Sequence, residues 1–508
     1  MKIVIVGGGT SGWWCAGHLI QKNPSLDITV IESPVINKIG VGESVLPQTR
    51  QFFDRLGIDE SKWMKHCEAV HKLGNMKQGW HRKDDKPFLF SFWWNYDERM
   101  LGRSLEYRGD TKLLAGQKKS ARLGDYWIDM YQRGLKTRDD FVPDTCSSWG
   151  LVQNKRSPYY PDGTPALGEF APYAYHINAE KASDVVRDQI GLPLGVKHVH
   201  ATVTDVEFNG TEVTSIKLDN GDTVTADLFV DCTGFRRTLI GKFDPKIKYY
   251  DRIKCNSAVV APFAYNNKDE ELEPYTQTLA KDCGWQFIIT LDSRIGSGYV
   301  FDRNQLDPEE AKKQLLSWWP NHTPIKEPRL ITWDPSRLEK SWHGNVVAIG
   351  LSNFFIEPLE ANGVYGIEYG VEILEMVLKK HNYQVNDHVR TAYSRTVGQL
   401  LDHTAQFISH HYMLTDREDT PFWKFYKDLG KEINAEQNVW NYYMDFSNPL
   451  QHMYPDSIWL SMAIYFEKFK TQKIEGLKSY MFEHVNNHIS FFKEHARIIG
   501  EQCKKVGK

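Results

Sequence analysis

The hydrophobic pattern of the first 32 residues alternates between strand and helix. Lys2–Val6 is a short apolar, β-branched run of the kind that forms a buried parallel strand. The glycine-rich segment 7–12 follows it and leads into a helical stretch over residues 13–22. A second β-rich run over residues 28–31 ends in Glu32, so the pattern predicts a β-α-β unit.

The rest of the chain predicts further strands and then helices. Residues 80–172 are polar, aromatic and loop-like, and we interpret them as an insertion. Short alternating strands over residues 199–228 are separated by Asn-Gly dipeptides, which favour tight hairpin turns. The pattern from Val364 onward is mostly helical. Buried-type strands are also expected within residues 228–232, 259–263, 286–291 and 346–350.

Composition and charge narrow the class of protein. The 508 residues are 41% hydrophobic and 25% charged, which is ordinary for a globular protein. The net charge of −3 gives no electrostatic reason to expect nucleic acid or an anionic membrane as a partner. No apolar run approaches the roughly 18 residues that span a bilayer. The chain opens directly on a strand, without a signal-peptide pattern, so we expect a cytoplasmic protein.

The seven cysteines are scattered along the chain and are never spaced as C-x-x-C. An odd number without such spacing is typical neither of a disulfide framework nor of a zinc site. We expect reduced, mostly buried thiols and no bound metal.

The glycine-rich segment gives the clearest functional signal. Gly7, Gly9 and Gly12 form the pattern G-x-G-x-x-G directly after a strand and at the start of a helix. Glycines at these positions allow a tight turn and a close approach of the backbone to a pyrophosphate, whose charge lies at the helix N-terminus. Glu32 follows at the end of the second strand, where a carboxylate can accept hydrogen bonds from ribose hydroxyls and would repel a 2′-phosphate. FAD or NAD is therefore favoured over NADP.

A second glycine turn selects the flavin. A buried-type strand ends in Asp231 and continues into Gly234, and this Asp-x-x-Gly pattern is typical of FAD-dependent monooxygenases. Those enzymes also have the glycine-rich unit at the extreme N-terminus. We expect the Asp231 carboxylate to hydrogen-bond the ribityl chain or a ribose, and Gly234 to approach the pyrophosphate.

Several blocks of the chain, between residue 2 and about residue 423, resemble the flavin-dependent halogenases and in particular the tryptophan-halogenase family. Residues 40–44 resemble the family's GVGEA segment, which touches the flavin. Residues 71–74, His-Lys-Leu-Gly, lie where the family has a reactive lysine. Residues 357–360 resemble its EPLES block.

Two blocks depart from the family pattern. Residues 284–290 keep the first Gly-Trp of the family motif GWxWxIP but have Phe287 for its second Trp and Thr290 for its Pro. Those tryptophans are thought to suppress ordinary monooxygenation, so looser suppression is expected. After Glu360 the chain has Ala-Asn-Gly where the family has Ser-Thr-Gly near the halide, which predicts a changed halide site at Asn362 and Gly363.

The resemblance implies an α/β fold with a Rossmann-type FAD-binding module like that of the FAD-dependent monooxygenases. A β-sheet substrate module would be interleaved with it. We expect the first part of the FAD module at 1–80, an insertion that contributes to the substrate module at 81–175, the continuation of the FAD module with the interleaved sheet at 176–365, and a helical region at 366–508.

The resemblance also implies a site. Flavin hydroperoxide and halide would give hypohalous acid, which would pass through a tunnel to Lys72, while Glu360 would orient the oxidant or take the proton lost by the substrate ring. Whether Lys72 forms a haloamine or only hydrogen-bonds the acid stays open. The tunnel would be lined by Trp285 and Phe287, and the substrate pocket by Phe90, Phe92, Tyr454 and Trp459. The expected FAD-binding residues are Gly7, Gly9, Thr10, Ser11, Gly12, Glu32, Ser33, Val41, Glu43, Ser44, Val203, Asp231, Gly234 and Leu351.

We therefore predict a halogenase that uses FADH2 from a separate flavin reductase and chloride, bromide or iodide. Its substrate would be a small, electron-rich aromatic molecule other than free tryptophan. Two alternatives stay open, namely a flavin-dependent aromatic hydroxylase and a catalytically silent flavin-binding subunit. Homo-oligomerisation is also left open.

Overall fold

The computed structural model describes residues 1–35, 42–92, 123–167, 172–444, 454, 456–468 and 479–507. The chain divides into two compact units, each made of three separate segments. The first unit consists of Met1–Val70, Tyr175–Asn266 and Leu291–Ser409, and the second of His71–Ala174, Asn267–Thr290 and His410–Lys508. The four domain ranges expected from the sequence stay a prediction.

A six-stranded sheet forms the centre of the first unit. Its first strand, Lys2–Val6, pairs in parallel with strands on both sides, so that Ile5 lies opposite Val30 and Val230. Ile5 is fully buried, as expected for a parallel strand covered on both faces. The predicted β-α-β unit is confirmed. The strand order is Trp342–His343, Val346–Ala348, Leu228–Asp231, Lys2–Val6, Asp27–Glu32 and Lys197–His200.

Smaller antiparallel groups complete the first unit. The predicted Asn-Gly hairpins are present, in a sheet of Thr223–Val224, Val213–Leu218 and Val203–Phe208. A second group is Ile247–Tyr249, Ser336–Leu338 and Phe354–Phe355, and a third is Arg329–Thr332, Ser257–Phe263 and Ile295–Phe301. The short strand Glu43–Ser44 pairs with Ala174–Ile177.

The second unit contains four neighbouring strands, in the order Gly284–Thr290, Thr276–Lys281, Gly74–Gln78 and Phe88–Ser91. The strand Val70–Lys72 runs across the boundary between the units. The sequence predicted only loops over residues 80–172, whereas the structure has a strand and several short helices there. Their cores are aromatic, as where Trp127 packs edge-on against Phe141 at 4.8 Å, and such contacts leave no helical periodicity in the sequence.

The α-helices are short in the first half of the chain and long in the second half. Among the described residues, none is long and apolar enough to cross a membrane. The α-helices are Thr10–Lys22, Pro47–Arg55, Glu60–His66, Leu123–Gln132, Phe141–Thr145, Trp149–Gln153, Ala179–Val186, Lys268–Glu271, Pro308–Ser317, Asn362–Lys380, Asp387–Met413, Pro421–Glu432, Ala435–Met444, Asp456–Tyr465 and Ser479–Gln502. Arg187–Gly191 is a π-helical turn, and 3₁₀ turns cover Arg138–Asp140, Gly234–Arg236, Ile240–Phe243, Gly350–Ser352 and Leu359–Ala361.

Candidate functional site

The glycine loop lies at the carboxyl edge of the six-stranded sheet, where open α/β sheets bind their ligands. A Cβ on Gly7 would lie 2.3 Å from the Cys232 carbonyl oxygen, and one on Gly12 would lie 1.8 Å from the Gly7 carbonyl oxygen. A Cβ on Gly9 would meet nothing within 4 Å. The chain's own packing thus requires Gly7 and Gly12, whereas Gly9 borders open space.

Two side chains that the sequence did not single out hold Glu32. The Trp13 indole nitrogen donates to one carboxylate oxygen of Glu32 at 3.3 Å, and the His198 Nε2 lies 2.9 Å from the same oxygen. Burial and the nearby charge of His200 lower the pKa of His198, while Glu32 acts in the opposite direction. The carboxylate is therefore oriented from one side. Nothing in the sequence pattern relates His198 to Glu32, because their contact depends on the pairing of their two strands.

The Asp231 carboxylate is fully engaged by its own loop. One oxygen accepts hydrogen bonds from the Thr233 amide and hydroxyl at 2.9 and 2.7 Å. The other accepts from the Leu239 and Ile240 amides at 2.9 and 2.8 Å. The buried carboxylate thereby fixes the turn that presents Gly234, whose φ is +67°.

The other predicted flavin residues lie on neighbouring loops of the first unit. The Thr10 hydroxyl accepts a hydrogen bond from Ser183 at 3.2 Å, and the Ser33 hydroxyl lies 2.8 Å from the Thr202 hydroxyl, next to Val203. The other contacts concern close packing: a Cβ on Gly350 would lie 3.0 Å from Ser11, and one on Gly234 would lie 3.9 Å from Leu351. Glu43 and Ser44 form a short strand, and burial raises the pKa of Glu43 to about 7. Val41 lies outside the described residues.

The turn before the helix Asn362–Lys380 has an unusual backbone. Glu360 and Ala361 both adopt the left-handed conformation, with φ of +61° and +54°, which non-glycine residues rarely adopt. The side-chain Nδ2 of Asn362 donates to the carbonyl oxygens of Glu357 and Leu359 at 2.6 and 2.7 Å and holds the turn. The α-helix begins two residues after Glu360, at Asn362.

Open space lies beside this turn at the predicted halide position. A Cβ on Gly363 would meet nothing within 4 Å. Gly363 is in the first turn of a 19-residue helix, where unpaired N–H groups and the helix dipole favour an anion. The half-buried Glu360 precedes it by three residues.

Lys72 is a buried lysine at the end of its strand. Its side chain is 0% exposed, and its Nζ lies 5.1 Å from the centre of the Phe92 ring. An ammonium ion over a ring face is stabilised by the ring quadrupole. Lys72 belongs to the second unit and Glu360 to the first.

Strand register places Trp285, Phe287 and Phe90 on one face of the second unit's sheet. Thr278 lies opposite Phe287 on one side and Lys77 on the other, and Lys77 lies opposite Phe88. Since alternate residues share a face, Trp285, two residues before Phe287, is on this face. So is Phe90, two residues after Phe88.

The aromatic side chains of this face are almost completely buried. The rings of Trp285 and Phe287 are centred 6.2 Å apart, and those of Phe90 and His411 are 6.0 Å apart. The other two predicted pocket residues, Tyr454 and Trp459, are also buried.

A second buried lysine, Lys77, also lies on this face. It is 0% exposed, and its Nζ lies 4.8 Å from the ring centre of Phe90 and 5.5 Å from that of Trp80. Sequence reasoning missed it, because a lysine on a short strand is ordinarily solvated.

The first unit contains a Rossmann-type glycine loop, and the second contains a lysine buried beside an aromatic ring. The solved structure of a tryptophan 6-halogenase, SttH from Streptomyces toxytricini, matches with a TM-score of 0.83 and 28% identity, over 99% of this chain and 98% of that one. Tar14, a tryptophan C-6 flavin-dependent halogenase from taromycin biosynthesis, matches with a TM-score of 0.83 and 26% identity, over 99% and 98% of the two chains. The predicted α/β fold is confirmed, and the chain is an enzyme of this class.

The family is shown by sequence as well. The model of the tryptophan halogenase family matches residues 2–477. Tryptophan 7-halogenase RebH from Lentzea aerocolonigenes is 30% identical over 446 residues, which cover 86% of this chain and 81% of that protein. The sequence of SttH is 32% identical over 448 residues, which cover 83% and 80%. The chain belongs to the tryptophan halogenase family, whose members use flavin and a halide.

Proposed function

We propose that this enzyme uses FADH2 to halogenate a small, electron-rich aromatic substrate, with Lys72 as the residue that delivers the halogen. The observation that carries the proposal is the complete burial of Lys72 beside the Phe92 ring. When bound, reduced FAD would supply, with oxygen and halide, hypohalous acid at the first unit. A separate flavin reductase would supply the FADH2. A cytoplasmic location stays a prediction.

The first unit would hold the cofactor through residues with separate tasks. The open space at Gly9 would admit the pyrophosphate beside the helix N-terminus. Glu32, oriented by Trp13 and His198, would accept hydrogen bonds from ribose hydroxyls. Asp231 would act by shaping the loop around Gly234.

The turn at residues 360–363 would bind the halide. Backbone N–H groups at a helix start beside open space suit an anion of low charge density. Asn362 would hold the turn, and Gly363 would border the halide, be it chloride, bromide or iodide. Glu360 would orient the oxidant or accept a proton.

Lys72 would act on hypohalous acid through its amine. The form of Lys72 that can attack hypohalous acid is the free amine, through its nitrogen lone pair. The Nζ would then either form a haloamine or donate a hydrogen bond that polarises the acid. The burial of Lys72 excludes water, which would protect a haloamine at its Nζ from hydrolysis back to the amine and hypohalous acid.

The proposed substrate is a neutral phenol, indole or anilide. Phe90 stands where the resembled family commonly has a histidine, and Trp459 packs edge-on against His410 at 5.7 Å. These aromatic surroundings support an aromatic substrate. The preference for a neutral ring over free tryptophan rests on the sequence around Tyr454 and Trp459, where no carboxylate that would hold an amino group is recognised.

The test supplies the enzyme with FAD, a flavin reductase, NADH, oxygen and one halide at a time, against a panel of phenols and indoles. Mass spectrometry should detect a halogenated product with the wild-type enzyme. We expect Lys72→Met to lose at least 100-fold in product. Lys77→Met also removes a buried amine beside an aromatic ring, but from a strand of a different sheet, and it should retain product formation. Equal halogenation by Lys72→Met and the wild-type enzyme would overturn the role of Lys72.

An aromatic hydroxylase is the second candidate, favoured by Phe287 and Thr290. The Thr290 hydroxyl donates to the Glu273 carbonyl oxygen at 2.8 Å, so this position has a polar contact that a proline could not make. Products that gain one oxygen atom and no halogen in the same assay would favour the hydroxylase. Absence of any flavin affinity would exclude both enzymes.

A further inference from the structure

The turn before the Lys72 strand is held by Glu68. This residue follows the helix Glu60–His66 and adopts a left-handed conformation with φ of +52°. Its carbonyl oxygen accepts a hydrogen bond from the Asp292 amide at 2.9 Å, and the next amide, of Ala69, donates to the Met64 carbonyl oxygen at 2.8 Å. The backbone is thereby fixed as it leaves the helix.

The Glu68 carboxylate binds three donors from two other segments. One oxygen accepts from the Lys181 ammonium at 2.5 Å. The other accepts from the Ser293 hydroxyl at 2.6 Å and from the Arg294 guanidinium. Burial would raise the pKa of Glu68, but the hydrogen bonds from Lys181 and Ser293 and the charge of Arg294 lower it to about 2. The carboxylate therefore stays ionised throughout the neutral range.

The segment that holds Glu68 also contacts the loop expected to touch the flavin. A Cβ on Gly42, whose φ is +99°, would lie 3.0 Å from the Leu291 side chain. The segment 291–294 thus contacts Gly42 at one end and Glu68 at the other. From Glu68 the chain continues directly into Val70–Lys72, and Val70 is 1% exposed.

We propose that Glu68 is a positioning residue, which fixes where the Lys72 strand begins, at Val70, relative to Gly42. The proposal rests on the proposed halogenase function. Charge-assisted hydrogen bonds from three donors make the turn rigid. Weakening them lets the strand start shift, and small displacements of a reacting group cost large factors in rate. Formation of hypohalous acid in the first unit does not require Lys72, so only its capture would suffer.

The experiment measures two products of the same turnover. One is the halogenated aromatic substrate. The other is the product of a trap, monochlorodimedone, a β-diketone that becomes halogenated by hypohalous acid free in solution. In Glu68→Gln we expect the ratio of trapped to substrate halogen to rise at least fivefold, while the sum of the two stays within twofold of wild type. Glu68→Ala should give a larger ratio.

Glu207→Gln is the matched control. Glu207 also accepts hydrogen bonds from a serine and a lysine, Ser215 at 2.6 Å and Lys217 at 2.9 Å, but on an exposed hairpin. Its ratio should equal that of wild type. A Glu68→Gln ratio equal to the control's, or a fall in the sum with no change in ratio, would overturn the positioning role. A wild-type enzyme that halogenates neither substrate nor trap would instead contradict the proposed function.

Discussion

At the scale of single residues, Glu368 is a carboxyl group that the fold keeps away from water. It lies on the helix Asn362–Lys380, and one of its oxygens accepts a hydrogen bond from the Thr49 hydroxyl at 2.5 Å. The other oxygen is buried and has no hydrogen-bond partner among the described residues. Burial raises the pKa of Glu368 to about 8, with a smaller contribution from Glu372 in the same direction and opposing ones from Thr49 and Arg55.

The raised pKa of Glu368 predicts a loss of stability with rising pH. The unfolded carboxyl has a pKa of about 4.3, so between about pH 4.3 and 8 only the folded state holds the proton, and this group lowers the unfolding free energy by about 1.4 kcal/mol per pH unit. Glu368→Gln should remove this slope, so that the variant gains on wild type from pH 5 to 8. Melting temperatures across that range would test it, and parallel curves would contradict it.

Individual site residues were predictable only where a sequence motif names them. The glycine pattern singled out Gly9 and Glu32 as candidate residues because their proposed roles depend on spacing along the chain. His198, which contacts Glu32, was not predictable. Glu68, which precedes the Lys72 strand, was not predictable either. Their partners come from distant segments, and only tertiary packing brings them together.

At the scale of elements, two glycines in the strand–loop–helix of residues 2–22 are expected to serve different purposes. Gly9 would leave room for a ligand, whereas Gly12 is needed for backbone packing. Gly9→Ala adds a methyl group into open space at an ordinary φ of −83°, so the protein should fold normally. Because that space would be taken by the pyrophosphate, we expect the FAD dissociation constant to rise at least tenfold. Titration by flavin fluorescence would measure it, and an unchanged constant would place the cofactor elsewhere.

For Gly12→Ala we predict the opposite outcome for folding, a loss of stability. Its Cβ would lie 1.8 Å from the Gly7 carbonyl oxygen, which no side-chain movement can relieve. We expect a fall in melting temperature of the flavin-free protein, which Gly9→Ala should not show. Equal melting temperatures for the two variants would contradict this distinction.

The central strands were predictable because buried parallel strands are continuous apolar runs, as in Lys2–Val6. The turn at Glu360 was not predictable. Its left-handed backbone depends on the hydrogen bonds of the Asn362 side-chain amide, whereas residue preferences alone favour a helix start there.

At the scale of the whole molecule, each unit depends on segments that are far apart in sequence. In the second unit, Trp80 is fully buried against Tyr412 and Trp423, with ring centres 5.2 and 5.8 Å away. A chain that ends at Ser409 keeps every segment of the first unit but loses these partners. We expect red-shifted tryptophan fluorescence and aggregation, since each large apolar side chain contributes about 1.5–3 kcal/mol on burial. A soluble truncated protein with unshifted emission would contradict this.

The burial of the cysteine thiols bears on how quickly an enzyme that forms hypohalous acid would be oxidised by it. Six of the seven cysteines are buried, and Cys283 is the exception. Burial raises the pKa of Cys67 to about 12, which leaves little of the easily oxidised thiolate. Cys283 is half-buried and adjoins Trp285, so under the proposed mechanism we expect escaped hypohalous acid to oxidise this thiol before the buried ones, to sulfenic and then sulfinic acid. Peptide mass mapping after exhaustive turnover should find the oxidation concentrated at Cys283. The oxidised fraction of this residue would then report how much hypohalous acid has escaped.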